Sequence, residues 1–273
     1  NDLENLNSDE IEVGPNNAGL RRFSSVANNA LEDVIDELSS LDEGVVDVLA
    51  SPELAQCHKK LDDIRLLPFS VFVSTGEIPH SAQASINTDS IVKDVMDGQV
   101  DRYKVVFISH RWCRPHYCEL CAAGTCTESS HPDTDDNSKH KRIVNAVNHI
   151  IDSQQWDPEL VRLWIDYSCL NQTNVERMLA GVHSLPFFVM ASDAFLTIHD
   201  ESYYDRAWCL VEVQYAKVGA KARGFPLHFS LLQDDTVVVV DDHTVLKRPS
   251  KGKLTTEADR RNILFLEMIS RLI

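Results

Sequence analysis

Short runs of β-branched and aromatic residues, separated by stretches with helical spacing, constrain the fold of this chain more than any other feature. The runs occupy residues 105–108, 161–165, 194–198 and 225–232. Runs of this kind are typical of strands buried on both faces of a sheet. Helical spacing recurs between them, at 143–151, at 176–190 with an interruption at Pro186, and around Trp208. This alternation predicts βαβ units, and therefore an α/β fold with a mostly parallel sheet and helices on both faces.

The two ends of the chain have a different character. Residues 1–25 are polar and rich in Asn, Ser and Asp, a composition typical of disorder. Apolar residues at helical spacing then predict a helical extension over 26–102, and we place the α/β domain at 103–273. Within that domain, residues 236–240 predict a strand in an edge hairpin, and the last helix is expected from 255 to 272.

Charge and hydropathy exclude several classes of partner. The net charge of −16 argues against a general nucleic-acid binder, which needs clustered Lys and Arg, and equally against an anionic membrane surface. No apolar run approaches the roughly 20 residues of a membrane span. The N-terminal residues also lack the basic and apolar regions of a secretory signal. We therefore expect a cytoplasmic protein without nucleic-acid or membrane partners.

Polar side chains gather where three predicted strands end. Ser109, His110, Arg111 and Trp112 follow the first strand, Asp166 follows the second, and His199 and Asp200 follow the third. Ligands of open α/β sheets bind beyond the carboxyl ends of the strands. We therefore expect a ligand site at this edge. Each residue also has a structural interpretation, because Ser109 could satisfy a strand end, His110 could be a structural histidine and Asp166 could cap the next helix.

Glu212 is the only charged residue in the otherwise apolar or weakly polar helical segment 207–213. An unpaired buried carboxylate is costly, so it should either have a partner or take part in chemistry. The structural alternative is an ion pair with Arg206 or Arg111. Trp208 lies four residues before Glu212 on the same helix face, where it could hold a ring or simply pack in the core.

These segments resemble two related families. Residues 107–111 (FISHR) resemble the first sequence box of Toll/interleukin-1 receptor (TIR) domains, and residues 208–212 (WCLVE) resemble their W-C-x-x-E helix. Residues 164–172 (WIDYSCLNQ), with the later Glu176-Arg177, are similar to a pattern of fungal heterokaryon-incompatibility (HET) domains. The resemblance covers about residues 103 to 235. Only one helix fits between the second and third strands, where a TIR domain has a further strand and a long loop, and this favours the HET-like branch.

The resemblance implies a flavodoxin/TIR-like sheet and a catalytic role for Glu212, because many TIR domains cleave NAD at the nicotinamide–ribose bond with the glutamate of this motif. One carboxylate could suffice, since nicotinamide leaves as a neutral ring and only the ribosyl cation needs stabilising. The substrate-binding residues would be Ser109, His110, Arg111, Trp112, Asp166 and Trp208. NAD or a related nucleotide would be the substrate, no cofactor would be required, and a homo-oligomer is expected.

Two alternatives remain open at this point. The chain could be a self-associating signalling scaffold without activity, as some TIR domains are. It could also be a nucleoside deoxyribosyltransferase-like enzyme, which shares the sheet plan and uses a glutamate. Turnover of NAD, turnover of free nucleosides, or assembly without turnover would distinguish the three.

A cysteine-rich insertion at 113–131 interrupts the first βα connection. Its thiols are Cys113, Cys118, Cys121 and Cys126, and four thiolates could close a tetrahedral structural zinc site. The alternative is an ordered loop with free thiols. The acidic stretch that follows, 133–137, lacks the pattern of a calcium loop, so we interpret it as solvated surface.

Overall fold

A computed structural model describes most of the chain beyond residue 64. The described ranges are 65–83, 89–90, 103–113, 131–174, 177–178, 181–182, 184–224, 226–240, 247–255 and 257–271. The predicted disordered segment 1–25 and most of the predicted extension 26–102 lie outside them, as do Glu176 and three of the four insertion cysteines.

The described elements alternate as the sequence pattern predicts. The strands are β1 (Arg65–Pro68), β2 (Asp89–Ser90), β3 (Lys104–Ser109), β4 (Val161–Trp164), β5 (Ala194–Ile198), β6 (Leu227–Leu231) and β7 (Val237–Val239). The α-helices are α1 (Phe69–Thr75), α2 (Ser138–Gln154), α3 (Asp166–Cys169), α4 (Leu185–Ala191), α5 (Ala207–Arg223) and α6 (Arg260–Ile269). Among them, none combines the length and the apolar character that a membrane span requires.

The sheet is mixed, with a parallel centre. Its order is β2-β1-β4-β3-β5-β6-β7. Strands β4, β3, β5 and β6 run parallel, whereas β1 is antiparallel to β4 and β7 is antiparallel to β6. The α/β class is confirmed, but the predicted parallel arrangement describes only the central strands. Because the connection from β6 to β7 is far too short for a crossover, this last pair has to form a hairpin.

The sheet begins earlier in the chain than residue 103, the predicted start of the α/β domain. Leu67 of β1 pairs with Leu163 of β4, and both side chains are completely buried. The helix that follows, α1, buries Phe69 and Phe72 in the same core. The sequence pattern does not predict β1, because only two apolar residues precede Pro68. Proline is tolerated at the end of a strand, but in a sequence it usually indicates that a strand or helix is interrupted.

Alternate side chains of the central strands form two cores. On one face, Val106 and Ile108 pack with the apolar stripe of α2. On the other, Phe107 stacks on Trp164 at a centroid distance of 4.3 Å, in a cluster that α4, α5 and α6 complete. Helices therefore cover both faces of the sheet, which leaves its edges for ligands.

The start of α2 differs from the sequence-based expectation, whereas the start of α4 agrees with it. Asp133 is fully buried and accepts the backbone N–H groups of Lys139 (2.9 Å) and His140 (2.7 Å) at the start of α2. The prediction of a solvated loop is therefore wrong for this residue, whose negative charge stabilises the helix N-terminus. The predicted helix over 176–190 is divided near Pro186 as expected, because Ser184 lies in a turn and a new helix, α4, begins at Leu185. Pro186 is tolerated in the first turn of α4, where proline lacks only an N–H that has no helical partner.

Candidate functional site

The candidate site lies at the carboxyl ends of β3, β4 and β5. Strand β4, which follows β3 in the chain, lies on one side of β3, and the next strand, β5, lies on the other side. The connections therefore leave in opposite directions, and ligands of open α/β sheets bind beside such a point. The polar residues that sequence analysis placed at this edge do meet here, through the hydrogen bonds described below.

Ser109, at the end of β3, is bonded to Glu212 of α5. The fully buried Ser109 hydroxyl donates to Glu212 Oε2 and is also bonded to the Tyr203 hydroxyl. Since the single Ser109 proton goes to Glu212, Tyr203 has to be the donor in the second bond. A chain of hydroxyls therefore ends on the Glu212 carboxyl group, whose residue keeps partial contact with solvent.

The surroundings of Glu212 disfavour its charge. The pKa of this carboxyl is raised to about 8, chiefly by burial and to a smaller extent by the charge of Asp166, while the Ser109 hydrogen bond acts in the opposite direction. The Ser109 bond does not offset the loss of solvation. In the unliganded protein at pH 7, the protonated form of Glu212 therefore predominates.

The arginines that offered a structural explanation for Glu212 bind elsewhere. The Arg206 guanidinium donates to Thr255 Oγ1. Arg111 Nε donates to Asp200 Oδ2 at 3.1 Å, and both side chains of that pair are 37% exposed. Among the described residues, the side-chain partner of Glu212 is thus a hydroxyl and not a guanidinium.

Asp166, the first residue of α3, forms the second centre of the site. His110 Nε2 lies 3.0 Å from Asp166 Oδ1, which also accepts the Tyr167 backbone N–H at 2.6 Å. Trp112 Nε1 donates to Asp166 Oδ2 at 2.8 Å. Burial opposes ionisation of Asp166, but the charge of His110 and the hydrogen bonds from His110 and Trp112 outweigh it and lower the pKa. Asp166 is therefore a carboxylate that both starts a helix and holds two predicted site residues.

The two carboxyl groups are shifted in opposite directions. Glu212 holds its proton at neutral pH and Asp166 does not, although the charge of Asp166 reaches Glu212. Neighbouring acids whose environments separate their pKa values are typical of sites that perform acid–base chemistry. The site can therefore offer a neutral carboxyl group and a carboxylate to one ligand.

Lys139 anchors the loop that carries His110, Arg111 and Trp112. This lysine is buried, and its Nζ donates to the carbonyl oxygens of Arg111 and Pro132, the latter at 2.6 Å. The burial of Lys139 could not be predicted from the sequence, because lysine side chains are rarely buried. No spacing pattern in the sequence indicates Tyr203, because this tyrosine lies in a short 3₁₀ helix (Tyr203–Asp205) and reaches Ser109 only in the folded chain.

Trp208 does not take part in the hydrogen bonds that join the other predicted site residues. Its ring packs in the cluster between α5 and α6, and its Nε1 donates to Asp259 Oδ2 at 3.2 Å. These contacts match the packing alternative for this residue. Ser109, His110, Trp112, Asp166 and Glu212 are therefore the predicted site residues that the fold unites, with Arg111 at their exposed side.

The zinc prediction falls mostly outside the described residues. Cys118, Cys121 and Cys126 belong to the segment that is not described, whereas Cys113 is half-buried and its N–H donates to Pro132 O at 3.3 Å. Within the described ranges, no cluster of three or more His, Cys, Asp or Glu side chains could hold a metal. A structural zinc site in the insertion stays a prediction.

No protein-family model, curated protein or solved structure matches this chain. Its function has to be inferred from the site itself.

Proposed function

We propose that this chain is a TIR/HET-like domain that cleaves the nicotinamide–ribose bond of NAD or a related nucleotide. One observation carries the proposal. The Glu212 carboxyl group, in the segment that resembles the W-C-x-x-E motif, is held by a buried serine hydroxyl at the carboxyl edge of the sheet and has no guanidinium partner within the described ranges.

The strand order supports the family part of the proposal. The parallel strands are arranged β4-β3-β5-β6. Counted in chain order among themselves, they follow the order 2-1-3-4, which is the start of the flavodoxin-like order that a TIR-like fold implies. In such sheets the ligand binds beside the first strand, and here that strand is β3, which ends in Ser109.

Glu212 would act on the ribose. As the C1′–N bond breaks, its electron pair leaves with the cationic nicotinamide ring, which departs neutral, and positive charge develops on the ribose. An ionised Glu212 would stabilise this charge in surroundings of low polarity. The Ser109 bond fixes Oε2, and Oε1 would be directed at the ribose hydroxyls.

The raised pKa of Glu212 is compatible with this role. A cationic nicotinamide ring beside the carboxyl group favours the ionised form, in the way any nearby positive charge does. Substrate binding would therefore release the proton that Glu212 carries in the free protein. This coupling makes the cationic dinucleotide, with its positive ring, the preferred ligand over its neutral reduced form.

Arg111 is the candidate for the pyrophosphate. Its guanidinium is 37% exposed and bonded through Nε to Asp200. A phosphate would use the remaining N–H groups in the paired geometry that suits arginine. The role of Asp200 would then be to orient the guanidinium.

The decisive experiment measures nicotinamide release from NAD at high protein concentration, because TIR-like enzymes often act only when assembled. The wild type should release nicotinamide, and Glu212→Gln should lower the rate by at least about 100-fold, the usual cost of losing one electrostatic contact to a transition state. Glu159→Gln is the matched control, because Glu159 is exposed and lies before β4. An inert wild type that assembles would instead support the scaffold.

The protonated state of Glu212 favours one second candidate. A neutral carboxyl group could donate its proton to the base of a nucleoside, which unlike nicotinamide is a poor leaving group until protonated. This chemistry fits the deoxyribosyltransferase-like alternative. Turnover of free nucleosides without turnover of NAD would establish it and would exclude NAD as the substrate.

A further inference from the structure

The Tyr203 hydroxyl has the Ser109 hydroxyl as its hydrogen-bond partner among the described residues. Both side chains are completely buried. A buried O–H proton without an acceptor is costly, and the Ser109 oxygen is the acceptor that the structure offers to Tyr203. Tyr203 therefore donates to Ser109 in either protonation state of Glu212. The Ser109 proton then has to go to Glu212 Oε2, the other partner of this hydroxyl.

The direction of this hydrogen-bond chain determines which oxygen of Glu212 gains and loses a proton. Oε2 accepts the Ser109 proton in the neutral and in the ionised form. In a neutral carboxyl group the carbonyl oxygen is the acceptor and the other oxygen carries the proton. The proton of neutral Glu212 therefore belongs on Oε1.

The fold holds the Tyr203 side chain independently of its serine partner. Its ring packs in the core cluster that α4, α5 and α6 complete. The Tyr203 N–H donates to Asp200 O, and the Arg206 N–H donates to Tyr203 O, both at 3.1 Å. The Lys253 N–H donates to Asp205 O at 2.6 Å and ties the same short helix to a second segment. The hydroxyl is therefore fixed before any ligand binds, as a group that orients a site has to be.

We propose that Tyr203 is a positioning residue of the NAD-cleaving site, which acts through Ser109 and reserves Glu212 Oε1 for the ribose. With Tyr203 as donor, Ser109 always donates to Oε2, so Glu212 does not direct its own proton at the serine. A hydroxyl that accepts one hydrogen bond is also a stronger donor of the next, so Tyr203 strengthens the bond from Ser109 to ionised Glu212. This inference rests on the proposed function.

The groups around this chain keep their charge while Glu212 titrates. Burial raises the pKa of the Tyr203 hydroxyl and of the Cys209 thiol well above their ordinary values, and it also raises the pKa of Tyr204. Asp166, which acts on Glu212 electrostatically, is already ionised because its pKa is lowered by its hydrogen-bond partners. Those partners are unchanged in every protein compared below. A change in the Glu212 titration on removal of one hydroxyl therefore reports on the hydrogen-bond chain.

The test is a double-mutant cycle on the pKa of Glu212, measured by ¹³C NMR titration. Tyr203→Phe keeps the buried ring and removes only the hydroxyl. We expect it to raise the pKa of Glu212 by about 0.3 to 0.5, because the Ser109 bond loses a fraction of its strength. The double variant Ser109→Ala/Tyr203→Phe should titrate like Ser109→Ala alone, since Tyr203 acts through the serine. Tyr215→Phe, which removes another buried hydroxyl, is the matched control.

The pH dependence of nicotinamide release separates this role from a purely structural one. Below pH 8, Tyr203→Phe should lower kcat/KM by about two- to threefold, which is the same pKa shift expressed as a loss of ionised Glu212. On the alkaline side, where Glu212 is ionised in both proteins, the two profiles should converge. A variant that is merely less well folded would instead lose the same fraction of activity at every pH.

A second variant keeps the inference testable if Tyr203→Phe folds poorly. Replacing Tyr203 with an ortho-fluorinated tyrosine retains the hydroxyl and makes it a stronger donor, so the pKa of Glu212 should fall. Additive shifts in the cycle, or a Glu212 titration that neither replacement of Tyr203 changes, would overturn the role of Tyr203 and leave the proposed function intact. A wild type that releases no nicotinamide would overturn the proposed function and this role together.

Discussion

Ser109 and Glu212 are 103 positions apart in the chain, and the hydroxyl of the first donates to the carboxyl group of the second. One residue ends the central strand of the sheet, and the other lies in the second turn of α5. This bond joins the edge of the sheet to the helix. The protonation of Glu212 therefore depends on Ser109 at the end of β3, and it depends also on Asp166 at the start of α3.

The rate of nicotinamide release should rise with pH in proportion to ionised Glu212. Because the pKa of Glu212 in the free protein is about 8, kcat/KM should increase tenfold per pH unit below that value and level off above it. The midpoint of the kcat profile should lie at a lower pH than the midpoint of the kcat/KM profile, because the cationic nicotinamide ring favours the ionised form of Glu212 in the complex. A profile that falls through pH 8 would instead identify Glu212 as an acid and favour the nucleoside alternative.

Ser109→Ala should raise the pKa of Glu212. The serine bond favours the charged carboxyl group, so its loss leaves burial and Asp166 unopposed. The shift can be measured by ¹³C NMR titration of the glutamate side chains, assigned with Glu212→Gln. Tyr215→Phe removes a buried hydroxyl that donates to Leu266 O in α6, so it should leave the titration unchanged. A lower pKa in Ser109→Ala would contradict the role of the bond.

Asp166→Asn should move the pKa of Glu212 in the opposite direction. The Asp166 charge disfavours a second negative charge nearby, and the amide removes that charge while keeping an oxygen acceptor. The same titration should therefore show Glu212 ionising at lower pH. Asp152→Asn, at an exposed position in α2, is the charge-matched control. An unchanged Glu212 titration would show that the two acids do not share one site.

Glu212→Gln should stabilise the fold at alkaline pH. The folded pKa of about 8 exceeds the ordinary value of 4.5, so the contribution of Glu212 is fully present below pH 4.5 and is lost as pH rises to 8. At about 1.4 kcal/mol per pKa unit, the full loss is on the order of 5 kcal/mol, of which about 4 kcal/mol falls between pH 5 and pH 9. The free energy of unfolding can be measured by urea denaturation at pH 5 and at pH 9. Its decrease from pH 5 to pH 9 should be larger in the wild type than in Glu212→Gln by about this 4 kcal/mol. Equal falls in both proteins would refute the raised pKa.

Gly252→Ala should destabilise the start of α5. A Cβ at position 252 would lie 2.6 Å from the backbone N and Cα of Ala207, whose N–H donates to Lys253 O at 3.0 Å. The segment has to move away, which should lower the free energy of unfolding by about 1–3 kcal/mol, the usual cost of overpacking. Lys251→Ala, at the exposed preceding position, should have little effect. A fully stable Gly252→Ala protein would show that this close approach is unimportant.

The local sequence pattern predicted the alternation of elements and the strand ends where the site lies. Strands β3 and β5 are apolar at almost every position because helices cover both of their faces, and that burial is visible in the residues themselves. The same pattern brought Ser109, His110 and Asp166 to one edge, since carboxyl ends of parallel strands meet there. Strand β1 was not predicted, because four residues that end in Pro68 show too little periodicity to distinguish a strand from a turn.

The sequence by itself thus determined the class of fold, the edge that holds the site and the carboxyl group at its centre, because each follows from patterns within a few neighbouring residues. Only the tertiary structure decided that Tyr203 supports Ser109, that Lys139 is buried, that Trp208 packs away from the bonded groups, and that Glu212 holds a proton while Asp166 does not. These properties depend on burial and on charges from residues far apart in the chain, and no local pattern contains them.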